Sequence, residues 1–328
     1  MKQKILALLT AQNGGYISGE AMSRTLGVSR AAVWKAIDAL RTDGYVIEAA
    51  PRRGYRLADG PDRLTPGTIL PYLSPAQEDR LICLDSVDST NNYAKALAMR
   101  GGVDGTAVVA DEQTGGRGRQ GRSFLSPKGK GVYLTMLCRP DVSPISALTL
   151  TAFTAVAVCD GIEAACGVRP GIKWTNDIIL GKKKLAGILT EMAVEGETGA
   201  LQYIVIGVGV NALHSPEDFS PELRDIATSL AMELGHPVPR GRLCACIINA
   251  MEEMYAVWLN GGGDYRERYR RDCLTRGRLV RVLRGDRVDE ALAADIDPYF
   301  GLVLEYADGH RETLHSGEVS IRGINGWY

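Results

Sequence analysis

Gln113-Thr114-Gly115-Gly116-Arg117-Gly118-Arg119-Gln120-Gly121-Arg122, followed at 126–129 by Ser-Pro-Lys-Gly, is the densest chemical signal in the chain. Three arginines interleave with four glycines, so backbone N–H groups and guanidinium forks can surround an anion. The run lacks the Gly-Lys-Ser/Thr of a Walker loop and is not a G-x-G-x-x-G turn opening a helix. It predicts a mobile loop. Taken alone, the same ten residues also fit a disordered Arg-Gly patch on nucleic acid.

Two further segments flank this loop. Downstream, Lys173-Trp174-Thr175-Asn176-Asp177 leads into Ile178-Ile179-Leu180. Gly181-Lys182-Lys183-Lys184-Leu185-Ala186-Gly187-Ile188-Leu189 then returns, a hairpin with a polar cluster at its base. Lysines 182–184 also fit a solvated turn. Upstream, Asp88-Ser89-Thr90-Asn91-Asn92 precedes a helical Tyr93–Met99 and is a natural N-cap. Further out, Val132–Leu137 and Tyr203–Val210 read as strands, and Leu148–Ala165 and Arg242–Asn260 as helices, giving an α/β or α+β body. After Cys273 short strands at Leu279–Leu283, Leu302–Tyr306 and Val319–Ile321, broken by Gly-Asp and Asp-Gly turns, predict a small β-barrel.

The first sixty residues differ in kind. They carry nine basic and five acidic side chains, a net +4, within a chain whose total is −1. An apolar helix over Lys2–Thr10 ends at Asn13-Gly14-Gly15. Ser18 and Ser29 cap two more helices separated by Gly27, which reads as helix-turn-helix. Tyr45-Val46-Ile47 and Tyr55-Arg56-Leu57 flank the turn Ala50-Pro51-Arg52-Arg53-Gly54, a hairpin with a basic tip. The module is a winged helix whose second helix suits a major groove, offering Ser29, Arg30, Ala31 and Lys35, with Arg52 and Arg53 of the wing on phosphates. A protein-interaction module is the plainer alternative. Ala58–Pro66 reads as linker. The division is 1–60 DNA-binding, 61–66 linker, 67–270 catalytic and 271–328 C-terminal barrel.

Composition narrows the class. Of the 328 residues 45% are hydrophobic and 23% charged, a globular balance that excludes a disordered chain. The start is amphipathic and lacks a signal-peptide cleavage site. The apolar run Ile145–Cys159 is too short to span a bilayer and reads as a buried helix. Seven scattered cysteines show no zinc spacing, and reduced thiols in a cytoplasm are expected.

Ser89-Thr90-Asn91, the Gly116–Arg122 loop with Ser126-Pro127-x-Gly129, Lys173-Trp174-x-Asn176-Asp177, Lys184-x-x-Gly187-Ile188-Leu189 and the Gly-rich strand Ile206–Asn211 occur here in that order. Together they resemble the biotin–protein ligases. With the winged helix in front, the whole chain is similar to the bifunctional type, ligase and biotin-operon repressor. Thr175 stands where the family usually has Pro and Phe124 where Trp is common, while Asp295 and Phe300 replace glycines of a Gly-Ile-Asp-x-x-Gly pattern.

The resemblance implies an α+β multidomain fold ending in an SH3-like barrel. It implies an enzyme that joins biotin to ATP as biotinyl-5'-AMP and passes biotin to a lysine of a biotin carboxyl carrier protein. Lys184 then bridges carboxylate and phosphate, Arg119 serves the phosphate, and Arg117 orders the loop. Ser89, Thr90, Asn91 and Gln113 would take the ureido ring beside the Arg117-Gly118-Arg119 backbone. Lys173, Trp174, Asn176, Asp177 and Asn211 would lie on the nucleotide side. Mg2+ is expected with ATP, with no ligands assigned. Biotin operator DNA, and a homodimer when the adenylate is bound, complete the expectation. A lipoate or octanoate ligase-like enzyme would not normally carry the arginine loop, and a non-catalytic winged-helix metabolite sensor would not need Lys173, Lys184 and both loop arginines.

Overall fold

The computed structural model describes residues 1–284, 287–315 and 320–323. At the N-terminus, helices Lys2–Ala11, Gly19–Leu26 and Arg30–Thr42 are followed by β1 (Val46–Ala50) and β2 (Gly54–Asp59), paired antiparallel. The Ser18 and Ser29 side chains accept from the Ala21 and Ala32 backbone N–H groups, the caps expected of those serines. Ile5, Leu6, Leu9, Met22, Val33, Ile37 and Leu40 form a separate small core. Gly54, at φ +99°, lets the wing pass behind the first turn, since a Cβ there would lie 2.2 Å from the Ile17 carbonyl oxygen.

The chain between this module and the body is not a free tether. Leu64 is buried in the main core. Asp62 pairs at 3.1 Å with Arg240, which is fully buried and also 2.8 Å from Asp111. A buried guanidinium must be paired or its desolvation costs several kcal/mol, so Arg240 pins the segment that composition alone reads as linker. Burial is the larger influence on the Asp62 carboxyl and raises its pKa despite the arginine.

A seven-stranded sheet forms the body. Its strands are β3 (Leu81–Leu84), β4 (Thr106–Ala110), β5 (Gly131–Cys138), β6 (Gly171–Lys173), β7 (Asp177–Leu180), β8 (Lys183–Val194) and β9 (Leu201–Asn211), in the order β3-β4-β5-β9-β8-β7-β6. The β3–β4 pair is parallel and every other neighbour is antiparallel. Helices Leu150–Cys166 and Arg240–Leu259 cover one face and bury Val132, Leu134, Ile204, Ile206 and Val208 with them. Helix Thr90–Met99 packs on the opposite face against Val108, Leu137 and Val205. The helical run Pro144–Cys166 is long and apolar enough to cross a membrane, longer than the sequence suggests, yet 67% of its most apolar window is buried inside this core.

After helix Tyr265–Asp272, strands β10 (Leu279–Arg284), β11 (Arg287–Ile296), β12 (Leu302–Glu305), β13 (Arg311–Leu314) and β14 (Ser320–Gly323) form an antiparallel sheet in the order β13-β12-β11-β10-β14. Among the described residues its edge strands β13 and β14 do not pair, so the expected barrel stands as a five-stranded sheet. Gly285, Asp286 and Val319 lie outside the described residues. Strand β11 escapes sequence reading because Glu290-Ala291-Leu292-Ala293-Ala294 has helical composition.

Candidate active site

The site lies on the sheet face that helix Thr90–Met99 covers only in part. Strand alternation turns Gly207 and Gly209 of β9 toward it, while Ile206 and Val208 enter the core. Neither glycine has room for a side chain: a Cβ on Gly207 would lie 2.2 Å from Asn91 Oδ1, and one on Gly209 would lie 2.5 Å from the Phe124 ring. Two bare positions one residue apart leave a floor on which a ligand can rest against backbone.

Around that floor the polar side chains hold one another. The Thr90 backbone N–H and hydroxyl donate to Gln113 Oε1 at 2.8 and 3.0 Å. Gln113 Nε2 donates to Ser126 Oγ at 3.0 Å, and Ser126 in turn donates to the Phe124 carbonyl. Thr135 of β5 stands 2.8 Å from Thr90 Oγ1 and 2.7 Å from Asn91 Oδ1. Ser89 is the N-cap residue of helix Thr90–Met99, which starts ahead of the expected Tyr93, but its side chain makes no capping hydrogen bond. With Ser89, Thr90 and Asn91 all buried, the segment is a pocket wall.

The Gly-Arg loop folds back over this pocket. Gly118 N–H donates to the Arg122 carbonyl at 2.7 Å and Phe124 N–H to the Gly116 carbonyl at 2.9 Å, while Gln120 and Gly121 take positive φ. The loop expected to be mobile therefore has a defined turn. Arg119 reaches across to Asn176 Oδ1 at 2.8 Å and Thr175 Oγ1 at 3.2 Å. Burial lowers the Arg119 pKa and Asp177 partly restores it; the guanidinium stays charged.

Lysines 182–184 divide their roles. Lys182 is exposed at φ +71°, Lys183 donates to the Arg224 carbonyl at 2.7 Å, and Lys184 turns inward to Asp177 Oδ1 at 2.6 Å. The solvated-turn reading thus holds for Lys182 alone.

Beyond Lys184 a second, broader cavity of about 270 Å³ opens between the loop, Trp174 and residues 219–227. Asn211 lines it, its amide donating to the Thr228 carbonyl at 2.9 Å, as do Phe219, Leu223 and Ile226. The Trp174 indole N–H donates to the Phe300 carbonyl at 2.9 Å. Phe300 keeps a left-handed backbone, φ +63°, at a position where glycine is the pattern. Its ring packs 5.1 Å from Phe153 and 5.4 Å from Tyr269, so the departure anchors the C-terminal sheet beside the cavity.

Comparison with known proteins agrees with this layout. Residues 2–56 match the family description "HTH domain", 83–211 "Biotin/lipoate A/B protein ligase family" and 275–322 "Biotin protein ligase C terminal domain". Over 326 residues the chain is 36% identical to the bifunctional ligase/repressor BirA of Bacillus subtilis, covering 98% of each chain. It is 33% identical to that of Escherichia coli over 322 residues, 97% of this chain and 96% of the other. The chain belongs to the biotin protein ligase family. Among solved structures, the biotin protein ligase of Aquifex aeolicus in complex with biotin and ATP aligns with a TM-score of 0.63 at 27% identity, over 74% of this chain and 99% of that one.

In this ligase fold one smaller pocket gathers Ser89, Thr90, Asn91, Gln113, Arg117, Gly118, Arg119, Asn176 and Lys184. Lys173, Trp174, Asn176, Asp177 and Asn211 line the broader cavity, and Arg119, Asn176 and Lys184 stand at the join. Ser29, Arg30, Ala31, Lys35, Arg52 and Arg53 are all exposed on the N-terminal module, and Trp34 stands 55% exposed among them. Sequence reasoning missed Thr135, Glu191 and the 219–227 wall. A threonine in an otherwise apolar strand was the available signal for Thr135. Among the described residues no three His, Cys, Asp or Glu side chains converge as a metal site. Asp177 Oδ1 is engaged by Lys184 and Asn176.

Proposed function

We propose that this protein condenses biotin with ATP to biotinyl-5'-AMP and pyrophosphate, then transfers biotin to a lysine of a biotin carboxyl carrier protein. The observation that carries the reading is the join of the two cavities, where Lys184 and Arg119 stand beside a pocket walled by neutral hydrogen-bonding groups. A carboxylate oxygen must attack the α-phosphorus, and two such anions at ~4 Å repel by roughly 4 kcal/mol at an effective dielectric of ~20. Lys184 bridges them, Arg119 takes charge developing on the phosphate, and pyrophosphate departs. Ser89, Thr90, Asn91 and Gln113 receive the ureido ring. Asn176 and Asn211 face the adenine side with Lys173, Trp174 and Asp177. Mg2+ would arrive with the triphosphate, with Asp177 as the nearest carboxylate. The Arg117 loop shields the mixed anhydride from water until the carrier amine attacks the acyl carbon and AMP leaves.

The N-terminal module reads biotin operator DNA through Ser29, Arg30, Ala31 and Lys35, with Arg52 and Arg53 on phosphates. Biotinyl-AMP acts as corepressor through a homodimer. Support comes from β8, whose pairing to β7 ends at Gly187 and leaves one edge open toward Val194, with Met192 and Val194 of that strand exposed. The division of labour is 1–60, 67–270 and 271–328, and a cytoplasmic setting suits seven free thiols. Purified protein should release pyrophosphate from ATP only when biotin is present and then label a carrier domain. Biotin-independent release, or no transfer, would refute the reading. Sedimentation beside operator binding at fixed salt tests the corepressor step: tighter DNA binding by a protein that stays monomeric would refute the dimer route.

A further inference from the structure

The carboxamide of Asn91, in the wall of the smaller pocket, has two faces that differ in what they offer a ligand, carbonyl or amine. Its orientation is set from behind the pocket. Asn91 Nδ2 donates to the Leu189 carbonyl at 3.2 Å and to Glu191 Oε2 at 2.8 Å. Both partners are pure acceptors, so both amide protons are spent and Oδ1 must face the other way. There it meets Thr135 at 2.7 Å and lies over Gly207, leaving acceptor capacity toward the pocket. The other Glu191 oxygen is held by Lys95 Nζ at 2.8 Å. Burial would raise the Glu191 carboxyl pKa, but the hydrogen bonds from Lys95 and Asn91 outweigh it and keep the group ionised.

We infer that Glu191 is a positioning residue that locks the Asn91 carboxamide with its carbonyl toward the ligand, selecting an N–H donor such as that of a cyclic urea. The inference rests on the reading of this pocket as the biotin site. Glu191 touches no reacting atom. Lys95 touches Glu191 and helps hold its carboxylate ionised. In Glu191→Gln the neutral side chain can donate as well as accept, so Asn91 can turn its amine to the pocket and clash with the urea N–H.

The test uses the full chain and steady-state ligation, with biotin and ATP varied separately. Glu191→Gln is expected to raise the biotin KM about tenfold while the ATP KM and kcat stay within about twofold. Lys95→Met, at a partly exposed position, should raise the biotin KM by a smaller factor in the same direction. In an Asn91→Ala background, Glu191→Gln should add no further loss, because its effect passes through Asn91. An unchanged biotin KM, a parallel change in the ATP KM and kcat, or full additivity with Asn91→Ala would overturn the role of Glu191. If the wild-type protein shows no biotin-dependent turnover, the biotin reading itself fails instead. Should Glu191→Gln not fold, the Lys95→Met and Asn91→Ala pair carries the same comparison.

Discussion

The two halves of the ligand site are built by different means. The smaller pocket is walled by side chains from four elements that hydrogen-bond to one another over a floor with no side chains of its own. The broader cavity sets Phe219, Leu223 and Ile226 of a long connection, 212–227, across from the tip of the Gly-Arg loop and the side chains of Lys173, Asp177 and Asn211. A hydrogen-bonded network is rigid and selective, whereas an apolar wall on a connection can adjust to what it covers. The pocket should therefore set specificity before ligand arrives, and the cavity should close afterwards.

The sharpest way to test that contrast is at the join. Lys184→Ala and Arg119→Ala should each cut adenylate formation by at least about 10²-fold, the scale of losing one preorganised charge. Pre-steady-state formation of biotinyl-AMP measures it, and near wild-type rates in both variants would remove the proposed electrostatic role. Next in size is the anchoring of the body to its N-terminal extension. A chain beginning at Pro61 should still ligate, and Asp62→Ala within it leaves Arg240 with Asp111 alone. Urea denaturation should find the Asp62→Ala chain less stable by roughly 2–3 kcal/mol, toward the low end for a broken buried pair because Asp111 remains. Equal midpoints for the two chains would show that Asp62 contributes nothing.

Within the pocket, Gly207→Ala should weaken biotin roughly tenfold, since the new methyl must displace the Asn91 amide. Titration calorimetry should show ATP binding unaltered; equal losses for both ligands would mean the two halves are not independent.

The smallest effect concerns His214, whose ring stacks 5.3 Å from Phe219 behind the broader cavity. Burial disfavours its charged form and lowers its pKa to about 4. The unfolded chain then binds a proton that the folded one refuses. Stability contributed by the neutral ring is present above the unfolded pKa near 6.5 and falls as pH drops toward 4. From pH 7 to 5.5 the loss should be about 1 kcal/mol. His214→Phe should flatten that slope in denaturant melts; an unchanged slope would assign the pH dependence elsewhere.

Much of this was legible in one dimension because the groups concerned act through short-range chemistry. Ser18 and Ser29 cap helices whatever the body does. Gly116 to Arg122 reads as a turn-rich loop from its glycines alone. The inward turn of Lys184 was not visible in a run of three lysines, since all three have the same intrinsic preference for water. Its neighbour Asp177 on the paired strand made the difference. Nothing in the sequence singles out Glu191, whose hydrogen bond with Asn91 joins residues a hundred positions apart in the chain.

Residue order alone was sufficient for the modular plan and the winged helix, because caps, turns and alternating apolar residues are properties of neighbours along the chain. Three outcomes required the folded molecule. The supposed linker became an anchor through Asp62 and Leu64, the two glycines of β9 became a floor, and separate polar segments became one hydrogen-bonded network. Each depends on which strands lie side by side and on what burial does to a charge or an amide. Those are contacts at long sequence separation, whose energies exist only once water has been excluded.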